Sequence, residues 1–115
     1  MGWCSMTPRD RDLLKMIGEC TDRIAAYVQR AGDRWIDDDM AVDAIAKRLE
    51  EIGELAKRLS AETLVGIPSV DWRGVGGLRE ILAHDYDRLD ADLILNIVDS
   101  ELPGLRVAVA TALAD

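Results

Sequence analysis

The sequence predicts an all-α antiparallel bundle of four to five helices. Three observations lead there. Apolar residues recur every three or four positions along most of the chain. Helix boundaries are marked by hydroxyl or carboxylate caps, proline and glycine. No segment shows the alternation of a half-buried strand, and no internal repeat or low-complexity tract is present. With 115 residues, residues 1–115 read as a single domain whose modest core a second copy would extend.

The elements follow in order. Thr7 and Pro8 form a helix start, a hydroxyl cap before proline at the first helical position. Leu13, Ile17, Cys20, Ile24 and Tyr27 or Val28 then share one face, and Gly32 ends the helix near Arg30. A second helix is expected over residues 35–60. Its stripe is Ala41, Ile45, Leu49, Ile52, Leu55 or Ala56, and Leu59, with Asp37 to Asp39 at the positive end of its dipole and Lys57 and Arg58 at the negative end. The stretch around Gly66 and Pro68 is the loosest, with room for one turn near Thr63. A third helix is expected from a cap at Asp71 to about Asp87. Gly74, Gly76 and Gly77 near its start each cost roughly 1 kcal/mol relative to alanine, so they need a reason such as the close approach of another helix or a ligand. Asp90 is expected to cap a fourth helix bearing Leu93, Ile94, Ile97 and Val98. Pro103 opens a last one with Leu105, Val109 and Leu113.

The net charge of −8, from 22 acidic and 14 basic residues, argues against a general nucleic-acid binder. No DNA partner is expected, although a small local basic site is compatible with this charge. An acidic surface suits protein partners. Cys4 and Cys20 are too few for a disulfide framework and lack metal-ligand spacing, and one histidine disfavours a histidine-based zinc site. No metal and no cofactor is expected. No segment is long and apolar enough to span a membrane, and "MGWCSMTPRD" lacks the features of a signal peptide. A cytoplasmic location with reduced cysteines follows. Met1 and Met6 are both candidate starts, and residues 1–5 read as an N-terminal extension if the second is used.

The segment "REILAHDY" concentrates chemistry. It holds the only histidine, His84, with Arg79, Glu80, Asp85 and Tyr86. A histidine near neutral pKa can take a proton from a ribose 2′-hydroxyl or give one to a leaving 5′-oxygen. An arginine can hold a phosphate and stabilise transition-state charge. Together they suffice for metal-free RNA cleavage leaving a cyclic phosphate. On an ideal helix, however, five residues turn through about 140°, so Arg79 and His84 do not share a face. The helix loosens, the arginine reaches round, or a second copy completes the site. The plain reading stands beside this: Arg79 paired with Glu80, Asp85 or another carboxylate, His84 a satisfied surface residue, and Tyr86 at the edge of the core. "GVGG" lacks the Lys and Ser/Thr of a P-loop, which disfavours a nucleotide-binding bundle.

Arg79, four residues, His84, one residue and Tyr86 match the R-x4-H-x-Y signature of HEPN domains of the HepT-like toxin family. "VDWRGVGGLREILAHDYDRLD", "IGELAKRLS" and "ELPGL" resemble further blocks of that family, in the same order. The resemblance implies an all-α HEPN-like homodimer with Arg79 and His84 of both protomers lining a cleft. It implies a metal-independent endoribonuclease toxin with an RNA substrate. Its partner would be an MNT-type nucleotidyltransferase antitoxin that transfers AMP to Tyr86. The alternative is a non-catalytic helical dimer that binds the nucleotidyltransferase and is modified by it. One position departs from the family: Glu80 follows Arg79 where many relatives have Asn, and a carboxylate there could neutralise the arginine or repel phosphate. Glu54, in "IGEL", is a candidate partner for Arg79, or else a solvated helix carboxylate.

Overall fold

The computed structural model describes residues 6–83 and 91–114, which form helices joined by turns, with no strand among them. Helix α1 spans Pro8–Ala31. The Thr7 side chain accepts a hydrogen bond from the Asp10 amide, and Gly32, at φ 89°, closes the other end in a conformation that favours glycine. Helix α2 spans Asp39–Lys57. It begins later than expected. Trp35–Asp37 form a separate 3-10 turn with the Trp35 ring buried, and Asp38 is the cap, accepting from the amides of Met40 and Ala41. Asp38 is held there in an extended conformation, so the helix cannot run through it.

The predicted stripes supply most of the core, joined by Leu14 and Val42, while Tyr27, Val28 and Ala41 are only partly buried. Leu14, Ile17 and Ile24 of α1 and Ile45, Leu49 and Ile52 of α2 have no solvent exposure. Burying each such side chain contributes roughly 1.5–3 kcal/mol. Among the described residues these two helices make the most extensive contact. Cys20 lies in this seam, where burial and the adjacent Glu51 push its thiol up to about 11, leaving it protonated and unreactive.

A short helix α3 (Ala61–Gly66) follows, capped by Ser60, and then α4 (Trp72–Gly76), capped by Asp71. The Trp72 indole donates to the Ile67 carbonyl at 3.0 Å, which ties the loop to α4. The expected long third helix is broken. Gly77 ends α4, and α5 (Leu78–Ala83) starts afresh. Of the glycines, Gly76 lies against another helix as anticipated, whereas Gly74 has a local reason. A side chain at Gly74 would strike the capping Asp71 carboxylate at 2.5 Å, and one at Gly76 would touch the Lys57 stem at 3.5 Å.

The fourth and fifth expected helices are one run. Helix α6 (Ala91–Asn96), a π-helical stretch (Ile97–Glu101) and α7 (Leu102–Ala114) are continuous, and the Leu102 amide donates to the Ile97 carbonyl five residues back. Pro103 has no amide to offer Asp99, and its ring would collide with that carbonyl in α-helical register. The wider π turn absorbs both problems without ending the helix. Helix α7 packs on α1, where Arg11 donates to the Leu113 carbonyl at 2.7 Å and satisfies the C-terminal end of α7. Helices α4 and α5 pack on the opposite partner, α2. No helix among the described residues is long and apolar enough to cross a membrane.

One buried charge locks the start of α1 to α3. Asp10, 1% exposed, accepts from the Thr63 hydroxyl at 2.6 Å and from both the amide and the hydroxyl of Ser60. Burial raises its pKa, but these hydrogen bonds outweigh it and hold the carboxyl below its ordinary value.

Candidate functional site

Among the described residues, the candidate side chains Glu54, Arg79 and Glu80 sit where α5 meets α2. Helix α5 begins directly after the Gly77 break, so Arg79 lies in its first turn and is 57% exposed. Its Nε is 3.4 Å from Glu54 Oε2, an ion pair across the two helices, and Glu54 is shared with Arg58 at 3.8 Å. A guanidinium held at Nε keeps its terminal nitrogens available for a second, bidentate acceptor such as a phosphate.

Glu80 does not take Arg79 as its main partner. It pairs with Lys57, and that hydrogen bond, helped by the charge of Arg79, holds its carboxyl below the ordinary range. Neighbouring residues on a helix point about 100° apart, so Arg79 and Glu80 reach different groups on α2. Glu54 and Lys57, three residues apart, lie on one face. The interface is thus crossed by two ion pairs of opposite sense, Arg79 to Glu54 and Glu80 to Lys57.

Gly53 makes this approach possible. A Cβ there would lie 3.0 Å from the Arg79 amide nitrogen, 3.2 Å from the Val75 carbonyl oxygen and 3.4 Å from Leu78 Cβ. Backbone, unlike a flexible side chain, cannot rotate away. Gly53→Ala gains helix propensity of up to about 1 kcal/mol but must push the start of α5 outward, an overpacking cost of roughly 1–3 kcal/mol. The expected result is a net loss of stability of about 1 kcal/mol in thermal unfolding. A raised melting temperature would show that α5 yields without strain.

Sequence reasoning did not single out Gly53, and it read Lys57 only as a match to the helix dipole. The signals were present: a glycine inside an otherwise strong helix needs a reason, and Lys57 follows Glu54 by one helical turn. His84, Asp85 and Tyr86 lie outside the described residues, as do Asp90 and residues 1–5.

Fold and site together define an all-α bundle of the HEPN kind, presenting a carboxylate-held arginine at the head of a short helix. The chain belongs to the ribonuclease HepT-like family, whose model matches residues 17–112, a span that includes Glu54, Arg79, His84 and Tyr86. It is 32% identical over 71 residues to a Methanocaldococcus jannaschii protein named "Putative RNase MJ0127", covering 62% of this chain and 59% of that one. It is 28% identical over 103 residues to "Putative RNase TTE0752" of Caldanaerobacter subterraneus, covering 90% of this chain and 91% of that one. "Probable ribonuclease HepT" of Thermococcus cleftensis is 25% identical over 97 residues, or 84% of this chain and 88% of its own. No solved structure matches significantly.

Proposed function

We propose that the chain is a metal-independent endoribonuclease toxin, acting as a homodimer and silenced by AMP transfer to Tyr86. The observation that carries this reading is Arg79, exposed and held at one edge by Glu54, in the R-x4-H-x-Y pattern of a ribonuclease family to which the chain belongs. Arg79 holds the scissile phosphate and stabilises the charge that builds on it. The ribose 2′-oxygen attacks phosphorus as His84 accepts its proton. The bond to the 5′-oxygen breaks, that oxygen leaves protonated, and a 2′,3′-cyclic phosphate remains. In a dimer the partner's copy of the motif supplies the second proton-transfer group, which removes the difficulty that residues 79 and 84 are about 140° apart on a regular helix.

The silencing step has a simple electrostatic basis. The Tyr86 phenol oxygen attacks the α-phosphorus of ATP on an MNT-type nucleotidyltransferase, and pyrophosphate leaves. The attached AMP adds bulk and negative charge beside the cleft and repels an RNA backbone. The acidic remainder of the surface suits a complementary basic face on that partner.

The test is growth of a bacterial host expressing the chain alone, beside His84→Ala and Tyr86→Phe. Growth arrest by the wild type that is lost in a folded His84→Ala protein supports the toxin. Tyr86→Phe should still arrest growth but escape silencing by the antitoxin. Normal growth with all three proteins soluble, with a mass gain of one AMP on incubation with the nucleotidyltransferase and ATP, would replace this reading by the non-catalytic dimer.

A further inference from the structure

We infer that Lys57 is an RNA-phosphate contact beside Arg79, masked by Glu80 in the unliganded protein; this rests on the reading of the α2–α5 junction as an RNA cleft. The placement of Lys57 carries the inference. Its stem lies along the backbone of Gly76, where a Cβ would sit 3.5 Å from Cγ and 4.0 Å from Cε. These are ordinary van der Waals distances, so the stem packs beside this backbone. The aliphatic part is therefore laid against α4, and the ammonium is carried to the first turn of α5, where it meets Glu80, the residue next to Arg79. Lys57 and Glu54 share a face of α2, so the lysine ammonium and the Arg79 guanidinium emerge on the same side of the junction.

Both members of the Lys57–Glu80 pair are about half exposed, at 43% and 50%. An exposed pair of this kind contributes little to stability, and a phosphate oxygen can replace the carboxylate at little cost. Glu80 thus acts on RNA binding through Lys57 rather than by cancelling Arg79, whose carboxylate partner is Glu54. Two adjacent cations then contact the RNA backbone. Arg79, the bidentate donor, takes the scissile phosphate, and Lys57, a compact point charge, takes a neighbouring one.

The experiment is equilibrium binding of a fluorescent single-stranded RNA, made non-cleavable by 2′-fluoro substitution, across a salt series. Wild type, Lys57→Ala, Lys57→Arg, Glu80→Gln and Glu80→Ala are compared after thermal unfolding confirms that each is folded. Lys57→Ala should weaken binding several-fold and reduce the slope of log K against log salt by about 0.7, the loss of one single-strand phosphate contact. Lys57→Arg should restore binding. Glu80→Gln and Glu80→Ala should tighten it, because both unmask Lys57. If Lys57→Ala binds as wild type does, the inference is overturned. It is also overturned if the Glu80 and Lys57→Ala variants weaken binding alike, since that is the signature of a bridge that only holds α5 in place. Failure of wild-type protein to bind RNA at all defeats it too. Lys57-dependent binding without cleavage of the natural 2′-hydroxyl RNA would sink the nuclease reading alone and leave this one standing.

Discussion

Arg79→Ala should lower the rate of RNA cleavage by about 10²–10³-fold while leaving the melting temperature unchanged. The two halves of this expectation have different origins. Arg79 is 57% exposed and its pair with Glu54 is 3.4 Å long, so little folding free energy is at stake. In the proposed cleavage step the same guanidinium would face charge that develops on phosphate oxygens, where a fixed donor is worth far more than in the ground state. Arg79→Lys should recover only part of the rate, because it restores the charge without the planar fork. Glu54→Gln should have a smaller effect, seen mainly in kcat, because it loosens the guanidinium without removing it. The measurement is single-turnover cleavage of an RNA oligonucleotide with the 2′,3′-cyclic product followed directly. An Arg79→Ala protein that cleaves as fast as wild type would show that the arginine does not hold the scissile phosphate, whatever its family pattern.

The second large effect is on stability. Asp10→Ala should destabilise the fold by about 3 kcal/mol and lower the melting temperature by roughly 10–15 °C. Asp10 is 1% exposed and accepts from the Ser60 amide, the Ser60 hydroxyl and the Thr63 hydroxyl. Alanine would leave the buried Thr63 hydroxyl without its acceptor and release the exposed Ser60, and an unpaired buried donor costs its desolvation in full. Asp10→Asn keeps one accepting oxygen and should lose less. The pH dependence follows from the direction of the shift. The folded carboxyl titrates below its ordinary value of 3.8, so its contribution is fully present well above that value. It begins to fade as pH falls through 3.8 and is gone below the folded pKa. Subtracting the Asp10→Asn unfolding curve from that of wild type should therefore give a difference that is flat near neutrality and shrinks below about pH 4. A difference that grows with acid would mean that the carboxyl is protonated in the native state.

These two residues also mark what could and could not be anticipated. Asp10 reads in sequence as an acidic residue in the first turn of a helix, a common exposed position. Its actual partners are fifty residues away, and nothing in local spacing points to them. Arg79 stood out because it shares a short segment with the only histidine and a tyrosine, and because that spacing resembles a family pattern. Its partner Glu54 was a candidate on the same resemblance. The assignment of Glu80 to Lys57 was not anticipated, since it depends on how α5 is turned against α2.

What the sequence by itself determined is the local physics. Thr7 with Pro8, Asp71 and Gly32 set helix ends, and the stripes of α1 and α2 set which faces are buried, because caps and 3.6-residue periodicity act within one or two turns. What only the tertiary structure decided is how those helices are cut and joined. Gly77 breaks the chain so that α5 can lie on α2 at Gly53, and Pro103 is carried inside a helix by a π turn instead of starting a new one. Such outcomes balance a local penalty of a few kcal/mol against packing gained with distant residues. That balance is struck between elements, so no window along the chain contains it.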